Sequence, residues 1–242
     1  MSEFQFKEID EEGMDTLDAI SSADKFNQWM YDTIAPRCTG KILEIGSGIG
    51  NISNFFLKNG ANITLSDIRD NYCDALRNNF KEYNAEVINV NIADEDFDKK
   101  YAHLLNSFDT IFSLNVVEHI KDHSLAVKNC KKLLRDSGTL VTLVPAYQSI
   151  YNGFDTVLEH YRRYTKKSLT ELLEKEYTVT HKQYFNFIGI FGWVFTGGIL
   201  RKKTIPSGQM GLYNKLVPIF KVIDKIMFNS MGLSVIAVAK KK

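Results

Sequence analysis

The chain has 242 residues, of which 44% are hydrophobic, and its 30 basic residues nearly balance 29 acidic ones, so that the formal net charge is +1. This length and apolar content predict a single domain, 1–242, with a sizeable core. The balanced charge, with no basic arm interleaved with aromatic residues, gives no electrostatic basis for nucleic-acid binding, and we expect no nucleic-acid partner.

The amino-terminal part of the chain is predicted to form a helical cap over residues 1–36. A helix over 26–31 would lie across a ligand cleft, where Trp29 or Tyr31 either covers the ligand or simply packs. The terminus is acidic and lacks the apolar stretch of a secretory signal. A cytoplasmic location is the simplest expectation.

The cysteines carry no sign of a metal or disulfide framework. Cys38, Cys73 and Cys130 are scattered without the spacing of metal ligands. We expect them to be reduced packing residues, which agrees with a cytoplasmic protein.

The tract from Lys41 to Asn51 is the most informative part of the sequence. A short apolar strand contains Glu44, and Gly46, Gly48 and Gly50 follow in alternation, where a missing Cβ lets the backbone approach a ligand. A dinucleotide fingerprint has Gly-x-Gly-x-x-Gly, so the third glycine arrives one residue early. The carboxylate of Glu44 would repel a pyrophosphate but accept hydrogen bonds from an ammonium group. The tract therefore predicts a turn that binds a cationic nucleoside, with an ordinary tight turn as the alternative.

Six further runs alternate with helix-compatible segments and are predicted as strands. The first of them ends at Asp67, where nucleoside-binding folds place the acid that holds the ribose hydroxyls. The alternative is that Asp67 caps a helix over 70–80. Strand and helix alternation predicts a parallel sheet covered on both faces. The last two strands break the rhythm and predict an antiparallel pair separated by a helical insertion over 185–232. The predicted strands lie at 62–67, 86–90, 108–114, 138–144, 177–184 and 233–239.

The tract Asn115-Val-Val-Glu118-His119 follows the fourth predicted strand. Because histidine titrates near neutrality, His119 is the first candidate for a catalytic base. The alternative is that Glu118 and His119 only organise the loop between strand and helix. Asn115 is expected to line the ligand pocket.

Residues 145–164 are predicted to form an active-site loop, because aromatic, His and Arg residues are dense there outside any regular period. In one interpretation His160 deprotonates the acceptor, and Arg162 or Arg163 pairs with an acidic acceptor group. In the other, Asp155, His160 and Arg163 form a buried polar network that fixes the loop. Three tyrosines would exclude water in the first interpretation: Tyr147, Tyr151 and Tyr164.

These motifs together resemble the class I S-adenosylmethionine-dependent methyltransferases, in which an acidic residue and Gly-x-Gly-x-Gly follow the first strand. The tract Asp155 to Tyr164 is similar to a bacterial subfamily found fused to, or encoded near, glycosyltransferases. The resemblance implies an α/β, Rossmann-like fold with a seven-stranded, mostly parallel sheet in the order 3-2-1-4-5-7-6 and helices on both faces. It also implies S-adenosyl-L-methionine as cofactor, S-adenosyl-L-homocysteine as product and a small-molecule methyl acceptor.

The resemblance also implies which residues hold the cofactor. The family often has an Asp after the third strand to accept from the adenine amino group, and this chain has Asn91, whose carbonyl oxygen can accept the same bond. The implied cofactor-binding set is Glu44, Gly46, Gly48, Gly50, Asp67, Ile68, Asn91, Ile92 and Asn115.

Metal binding is a separate question for residues 115–119. Some ubiquinone-pathway O-methyltransferases resemble this stretch but have a Glu where Asn115 stands, and bind a divalent cation with two carboxylates and a histidine. Because an amide is a weaker ligand for a dication than a carboxylate, we expect no metal.

The sequence does not identify the molecule that accepts the methyl group. Residues 184–200 and 212–228 are rich in apolar residues, but Asn186 and several glycines interrupt a run barely long enough to span a membrane. The segments fit a lipid-like or hydrophobic acceptor, contact with a membrane surface, core packing or a homodimer interface. We expect methylation, such as O-methylation, of a sugar-linked, lipid-like or other hydrophobic compound. A nicotinamide-dependent oxidoreductase and a non-catalytic nucleoside-binding protein remain the alternatives.

Overall fold

A single seven-stranded sheet organises the chain. The computed structural model describes residue 21, residues 23–202 and residues 207–242, so the first part of the cap predicted over 1–36 lies outside the described residues. The strand order is β3-β2-β1-β4-β5-β7-β6, with β7 antiparallel to both of its neighbours and the other pairs parallel. The predicted fold class and strand order are confirmed. The strands are β1 (Ile42–Ile45), β2 (Ile63–Asp67), β3 (Glu86–Asn89), β4 (Phe108–Leu114), β5 (Leu134–Pro145), β6 (Tyr177–Phe185) and β7 (Ser234–Lys241).

Helices cover both faces of the sheet. Consecutive residues of a strand point to opposite faces of the sheet, as Leu140 and Val141 of β5 show. Leu140 belongs to the apolar cluster that includes Leu133 and Leu169. Val141 belongs to the cluster on the other face, with Phe56 and Val217. The described α-helices are α1 (Asp24–Ile34), α2 (Ser53–Lys58), α3 (Asp70–Asn79), α4 (Phe97–Lys100), α5 (His123–Leu133), α6 (Gly153–Val157), α7 (Lys166–Leu173), α8 (Phe187–Trp193) and α9 (Ser207–Ile226). A π-helical turn, Val194–Ile199, continues α8.

Strand β5 begins earlier than the sequence predicts. The polar run 135–137 is typical of a turn, and the predicted strand starts after it, at Gly138. Leu134 already pairs with Phe108, and the register then shifts so that Thr139 pairs with Thr110. A bulge therefore accommodates the polar run within the strand.

Buried hydrogen bonds hold the helices between β6 and β7 together. The buried carboxylate of Asp224 on α9 accepts hydrogen bonds from the backbone N–H groups of Asn186, at 2.6 Å, and Phe187, at 2.8 Å, where α8 begins. The side chain of Asn186 in turn accepts from the N–H of Gly189. These bonds fix α8 against α9. None of the described helices is both long and apolar enough to cross a bilayer.

Candidate active site

A cavity of about 730 Å³ opens at the carboxyl ends of the parallel strands. Parallel strands end at one edge of the sheet, so the residues that follow β1, β2, β3 and β4 converge there. The glycine turn, the loop 145–164, helix α1 and the helices α8 and α9 complete its walls. Of the eleven predicted site residues, all except Gly50 line it: Glu44, Gly46, Gly48, Asp67, Ile68, Asn91, Ile92, Asn115, His119 and His160.

The glycines of the turn have different roles. Gly46 and Gly48 line the cavity with positive φ angles of 72° and 55°, which a residue with a side chain adopts only at a cost. Gly50 does not line it: a Cβ there would lie 2.2 Å from the ring of Phe80, so its small size serves helix packing instead.

Two buried carboxylates face the cavity beside this turn. Burial raises the pKa of Glu44 to about 7, against hydrogen bonds from Ser53 and Ser47 that lower it, and the nearby charge of Asp67 adds to the rise. Burial also raises the pKa of Asp67, although the backbone N–H groups of Arg69 and Gly48 donate to it, each at 3.0 Å. A cation in the cavity would stabilise both in their charged forms.

Asp67 does not cap the following helix. The N-cap position of α3 is Arg69, and its side chain makes no capping bond. One Asp67 oxygen instead fixes the glycine turn through Gly48, while the carboxylate lines the cavity. The structure thus contradicts the alternative interpretation of this residue.

Asn91 and Asn115 lie on opposite sides of the β1 end. The Asn91 side-chain oxygen accepts from the N–H of Ala93 at 2.9 Å, which orients the amide at the cavity wall. Asn115 has a φ of 54° and donates its backbone N–H to Leu143 at 2.9 Å. Asparagine tolerates this left-handed conformation better than most residues, which explains its presence at the bend after β4.

His119 is poorly suited to act as a base. Its burial, together with the charges of His160 and Arg69, lowers its pKa to about 3, despite hydrogen bonds with the backbone of Leu158 and Asn115. The ring lies edge-on to His160, with 4.7 Å between the ring centroids. A histidine with so low a pKa stays neutral and accepts a proton weakly.

His160 belongs to a buried network that includes Asp155 and Arg163. Its Nδ1 donates to the Asp155 carboxylate at 2.8 Å, and Arg163 donates to both oxygens of the same carboxylate, at 2.9 and 3.1 Å. Burial raises the pKa of Asp155, but His160 and Arg163 outweigh it, and the pKa lies below its ordinary value. The charged carboxylate holds the His160 tautomer with its proton on Nδ1, which leaves Nε2 as the acceptor.

The arginines of the loop are committed to the protein rather than to an acidic acceptor. Arg162 donates to the carbonyl groups of Ile120, at 2.8 Å, and Lys121, at 2.9 Å. Arg163 also donates to the carbonyl of Ala146 at 2.7 Å. The predicted pairing of either residue with an acceptor is therefore corrected, because their donors fix the loop.

The tyrosines of the predicted loop also take other positions. Tyr147 stacks on Tyr184, Tyr151 donates to the carbonyl of His160, and Tyr164 bonds to His123. The tyrosines that line the cavity are Tyr72, Tyr161 and Tyr213.

For helix α1 the structure matches the second of the two alternatives, in which Trp29 and Tyr31 pack and do not line the cavity. Trp29 packs against Phe185, with 4.4 Å between ring centroids, and Tyr31 packs against Phe56. Phe26, Asn27 and Met30 line the cavity instead. The helical spacing of apolar residues does not distinguish the face on the core from the face on the cavity, since both are apolar.

Helices α8 and α9 form a wall of the cavity whose residues the sequence did not single out. Trp193, Thr196, Met210 and Tyr213 come from the helical insertion predicted over 185–232, for which acceptor binding, membrane contact, core packing and a dimer interface were all left open. Trp193 is notable because its indole Nε1 is buried without a hydrogen-bond partner among the described residues. A buried donor of this kind fits a bound polar group.

Glu118, His119 and His160 form a group of potential metal ligands. One ligand atom from each lies within 4.8 Å of the others. Burial raises the pKa of Glu118 to about 8, and neither carboxylate oxygen has a partner in the described part of the chain.

The comparisons with known proteins agree with this geometry. A family model described as a methyltransferase domain matches residues 43–140. A protein of Mycobacterium tuberculosis named a probable S-adenosylmethionine-dependent methyltransferase is 27% identical over 150 residues, which are 61% of this chain and 52% of that protein. A ubiquinone biosynthesis O-methyltransferase of Actinobacillus pleuropneumoniae is 29% identical over 143 residues, 55% of this chain and 61% of that one. The aligned part is thus about half to three fifths of these relatives.

Solved structures share the fold at low identity. A S-adenosylmethionine-dependent methyltransferase of Archaeoglobus fulgidus has a TM-score of 0.57 at 15% identity, over 89% of this chain and 94% of that one. A phosphoethanolamine N-methyltransferase of Haemonchus contortus, in complex with S-adenosylmethionine, has a TM-score of 0.57 at 16% identity, over 89% of this chain and 52% of that one. Residues 43–140 thus match a methyltransferase domain, and the chain shares its fold with S-adenosylmethionine-dependent methyltransferases.

The residues present fit S-adenosylmethionine. Glu44 and Asp67 are buried acids whose pKa values are raised, which suits a ligand carrying an ammonium and a sulfonium group beside ribose hydroxyls. The same pair of carboxylates disfavours the pyrophosphate of a nicotinamide dinucleotide.

Proposed function

We propose that the protein transfers a methyl group from S-adenosylmethionine to a hydroxyl group of a small hydrophobic or amphiphilic molecule. The observation that carries this proposal is that one cavity is lined both by the buried carboxylates of Glu44 and Asp67, beside the glycine turn, and by His160, whose Nδ1 is held by the carboxylate of Asp155. When bound, S-adenosylmethionine supplies an electrophilic methyl carbon on a positively charged sulfur.

The protein's contribution to catalysis is mainly alignment. Gly46, Gly48, Asp67 and Asn115 would hold the donor at the strand ends, and Asn91 with Ile92 would border its adenine. Effective molarities on the order of 10⁵ M or more are available from such positioning. No covalent nucleophile is needed.

His160 is the base in this proposal. Nε2 would accept the proton of the acceptor hydroxyl as its oxygen attacks the methyl carbon, and the carbon–sulfur bond electrons would remain on sulfur. Asp155 would stabilise the imidazolium that forms, as it already accepts from Nδ1 at 2.8 Å. His119, with its low pKa, would pack beside His160 and keep water away.

The apolar wall formed by α8 and α9 supports an acceptor with a hydrophobic part. Met210, Tyr213 and Trp193 line this side, and the indole N–H of Trp193, which has no hydrogen-bond partner in the described part of the chain, would orient a polar group of the acceptor. A sugar-linked lipid combines both properties. The likeness of the loop 145–164 to glycosyltransferase-associated methyltransferases agrees with that acceptor class.

Calorimetry with three ligands tests the donor. S-adenosylmethionine and S-adenosylhomocysteine should bind, and NAD should not. NAD binding without either of the others would favour an oxidoreductase. Binding of the donor without turnover across a screen of lipid-linked and free hydroxyl acceptors would favour a non-catalytic nucleoside-binding protein.

A further inference from the structure

Helix α9 has apolar residues on two opposite faces, where a surface helix usually has them on one. Met210, Val217, Phe220 and Asp224 face inward and are buried, at spacings of 7, 3 and 4 residues. A second stripe repeats this spacing two residues later and is more than half exposed throughout: Leu212, Ile219, Val222 and Ile226. Two residues turn a helix by about 200°, so this stripe lies opposite the core. A surface helix ordinarily places polar residues there.

The neighbouring helix repeats the arrangement. Phe191 and Phe195 are 58% and 55% exposed, and Ile199 follows at the same spacing of four. The inward face of this helix lines the cavity with Gly192, Trp193 and Thr196. Beyond α9, Phe228 is 89% exposed. Most of the exposed large apolar side chains in the described chain therefore belong to 191–231, a clustering typical of an interaction surface.

The charge of residues 187–231 is predominantly positive. Residues 187–231 contain six basic residues and a single acid, Asp224, which is buried. Lys215 lies within the outward stripe, three residues after Leu212 and four before Ile219, and both Lys215 and Lys225 are exposed. Lys221 differs from these two lysines, because its ammonium group pairs with the carboxylate of Asp32 at 2.8 Å.

A second copy of the chain does not suit this composition. In a symmetric dimer the same face meets itself, so the cations of both copies would approach each other with no acid to balance them. An anionic bilayer offers negative charge at its surface and apolar depth beneath, which matches lysines beside an apolar stripe.

We propose that the outward faces of α8, its π-helical extension and α9 dock on the surface of an anionic lipid bilayer. The cavity then lies directly behind the docked helices. An amphiphilic acceptor held in the bilayer would need to cross only this two-helix wall to reach His160. This step rests on the proposed function; the docking itself does not.

Vesicle co-sedimentation tests the docking. The protein should sediment with vesicles of phosphatidylcholine and phosphatidylglycerol, and more weakly with phosphatidylcholine alone. The double variant Ile226→Ser/Phe228→Ser should lower the partition coefficient about tenfold or more, because two exposed apolar side chains are lost. Lys215→Glu/Lys225→Glu should lower it about tenfold on anionic vesicles at low salt. The matched control, Lys58→Glu/Lys81→Glu, makes the same charge change at exposed lysines of another surface and should lower it much less.

Three outcomes would overturn the docking: no sedimentation with either vesicle, equal loss in the control, or full binding by the Ile226→Ser/Phe228→Ser variant. The competing case is that this surface is a dimer interface. In that case light scattering would show a dimer for the wild type and a monomer for the Ile226→Ser/Phe228→Ser variant, and neither protein would bind vesicles. S-adenosylmethionine affinity measured on the same samples separates the two proposals. If the protein binds S-adenosylmethionine but does not sediment with vesicles, only the docking proposal is refuted.

Discussion

Nδ1 of His160 lies 2.8 Å from a carboxylate oxygen of Asp155, in a network that Arg163 closes from the other side. The bond fixes the tautomer of His160, with its proton on Nδ1 and Nε2 left as an acceptor. The same carboxylate therefore accepts from Arg163, which fixes the loop, and from the histidine that we propose as the base.

Replacing His160 with Ala should lower kcat by about 10² to 10⁴ and leave the affinity for S-adenosylmethionine nearly unchanged, because the base acts only on the acceptor. Asp155→Asn should lower kcat in the same direction by releasing the tautomer. The exposed His103 provides a control, and His103→Gln should behave as wild type. Unchanged turnover in His160→Ala would leave the network with a structural role only.

Asp67→Asn should weaken S-adenosylmethionine binding by about 10- to 100-fold, because a charged acceptor of the ribose hydroxyls is lost. Calorimetry measures the change, with circular dichroism to confirm the fold. Asp74→Asn, at an exposed acid on α3 that pairs with Arg77, is the matched control. Equal affinities for the two variants would argue against the ribose role.

Ligand binding should release protons near neutral pH. The pKa of Glu44 is about 7, so the group is partly protonated in the free protein, and a bound ammonium group would lower that pKa. At pH 7 we expect about half a proton released per ligand. Calorimetry in buffers of different ionisation enthalpy measures it, and Glu44→Gln should abolish it. Release that persists in the variant would assign the proton to another group.

Glu118 should make the stability of the fold fall as pH rises. Its folded pKa of about 8 lies above the ordinary 4.5, so its contribution is fully present below pH 4.5 and is lost as pH rises through 8. Glu118→Gln cannot ionise, so its stability relative to wild type should increase from pH 5 to pH 9, by on the order of 1 to 3 kcal/mol. Denaturant unfolding at the two pH values measures this. Glu95→Gln, at an exposed acid, should show no such trend.

Chelation should leave activity unchanged. At pH 7 the carboxyl of Glu118 is largely neutral, and Asp155 already occupies one nitrogen of His160, so the group with His119 is a weak set of ligands in this state. Turnover after EDTA treatment and dialysis is the measurement. Loss of activity that Mg²⁺, Mn²⁺ or Zn²⁺ restores would instead assign a cation to Glu118, His119 and His160.

The donor side of the site was predictable because it is local in sequence. Glu44, Gly46 and Gly48 are consecutive features of one turn, and Asp67 ends the next strand, so the rule that parallel strands end at one edge is enough to bring them together. Gly50 shows the limit of this reasoning. Its spacing fits the motif, but its contact with Phe80 depends on how α3 packs.

The sequence by itself determined the strand and helix order, the acidic glycine turn and the carboxylate after β2, because alternation, glycine spacing and strand ends are local patterns. Only the tertiary structure distinguishes the surroundings of His119 from those of His160: burial lowers the pKa of His119, and a carboxylate five residues away in the sequence holds His160, which is why we propose His160 as the base. It also decided which faces of α8 and α9 meet the cavity and which meet the outside. Both faces of α9 carry apolar residues at the same spacing, and only packing distinguishes a core from a surface.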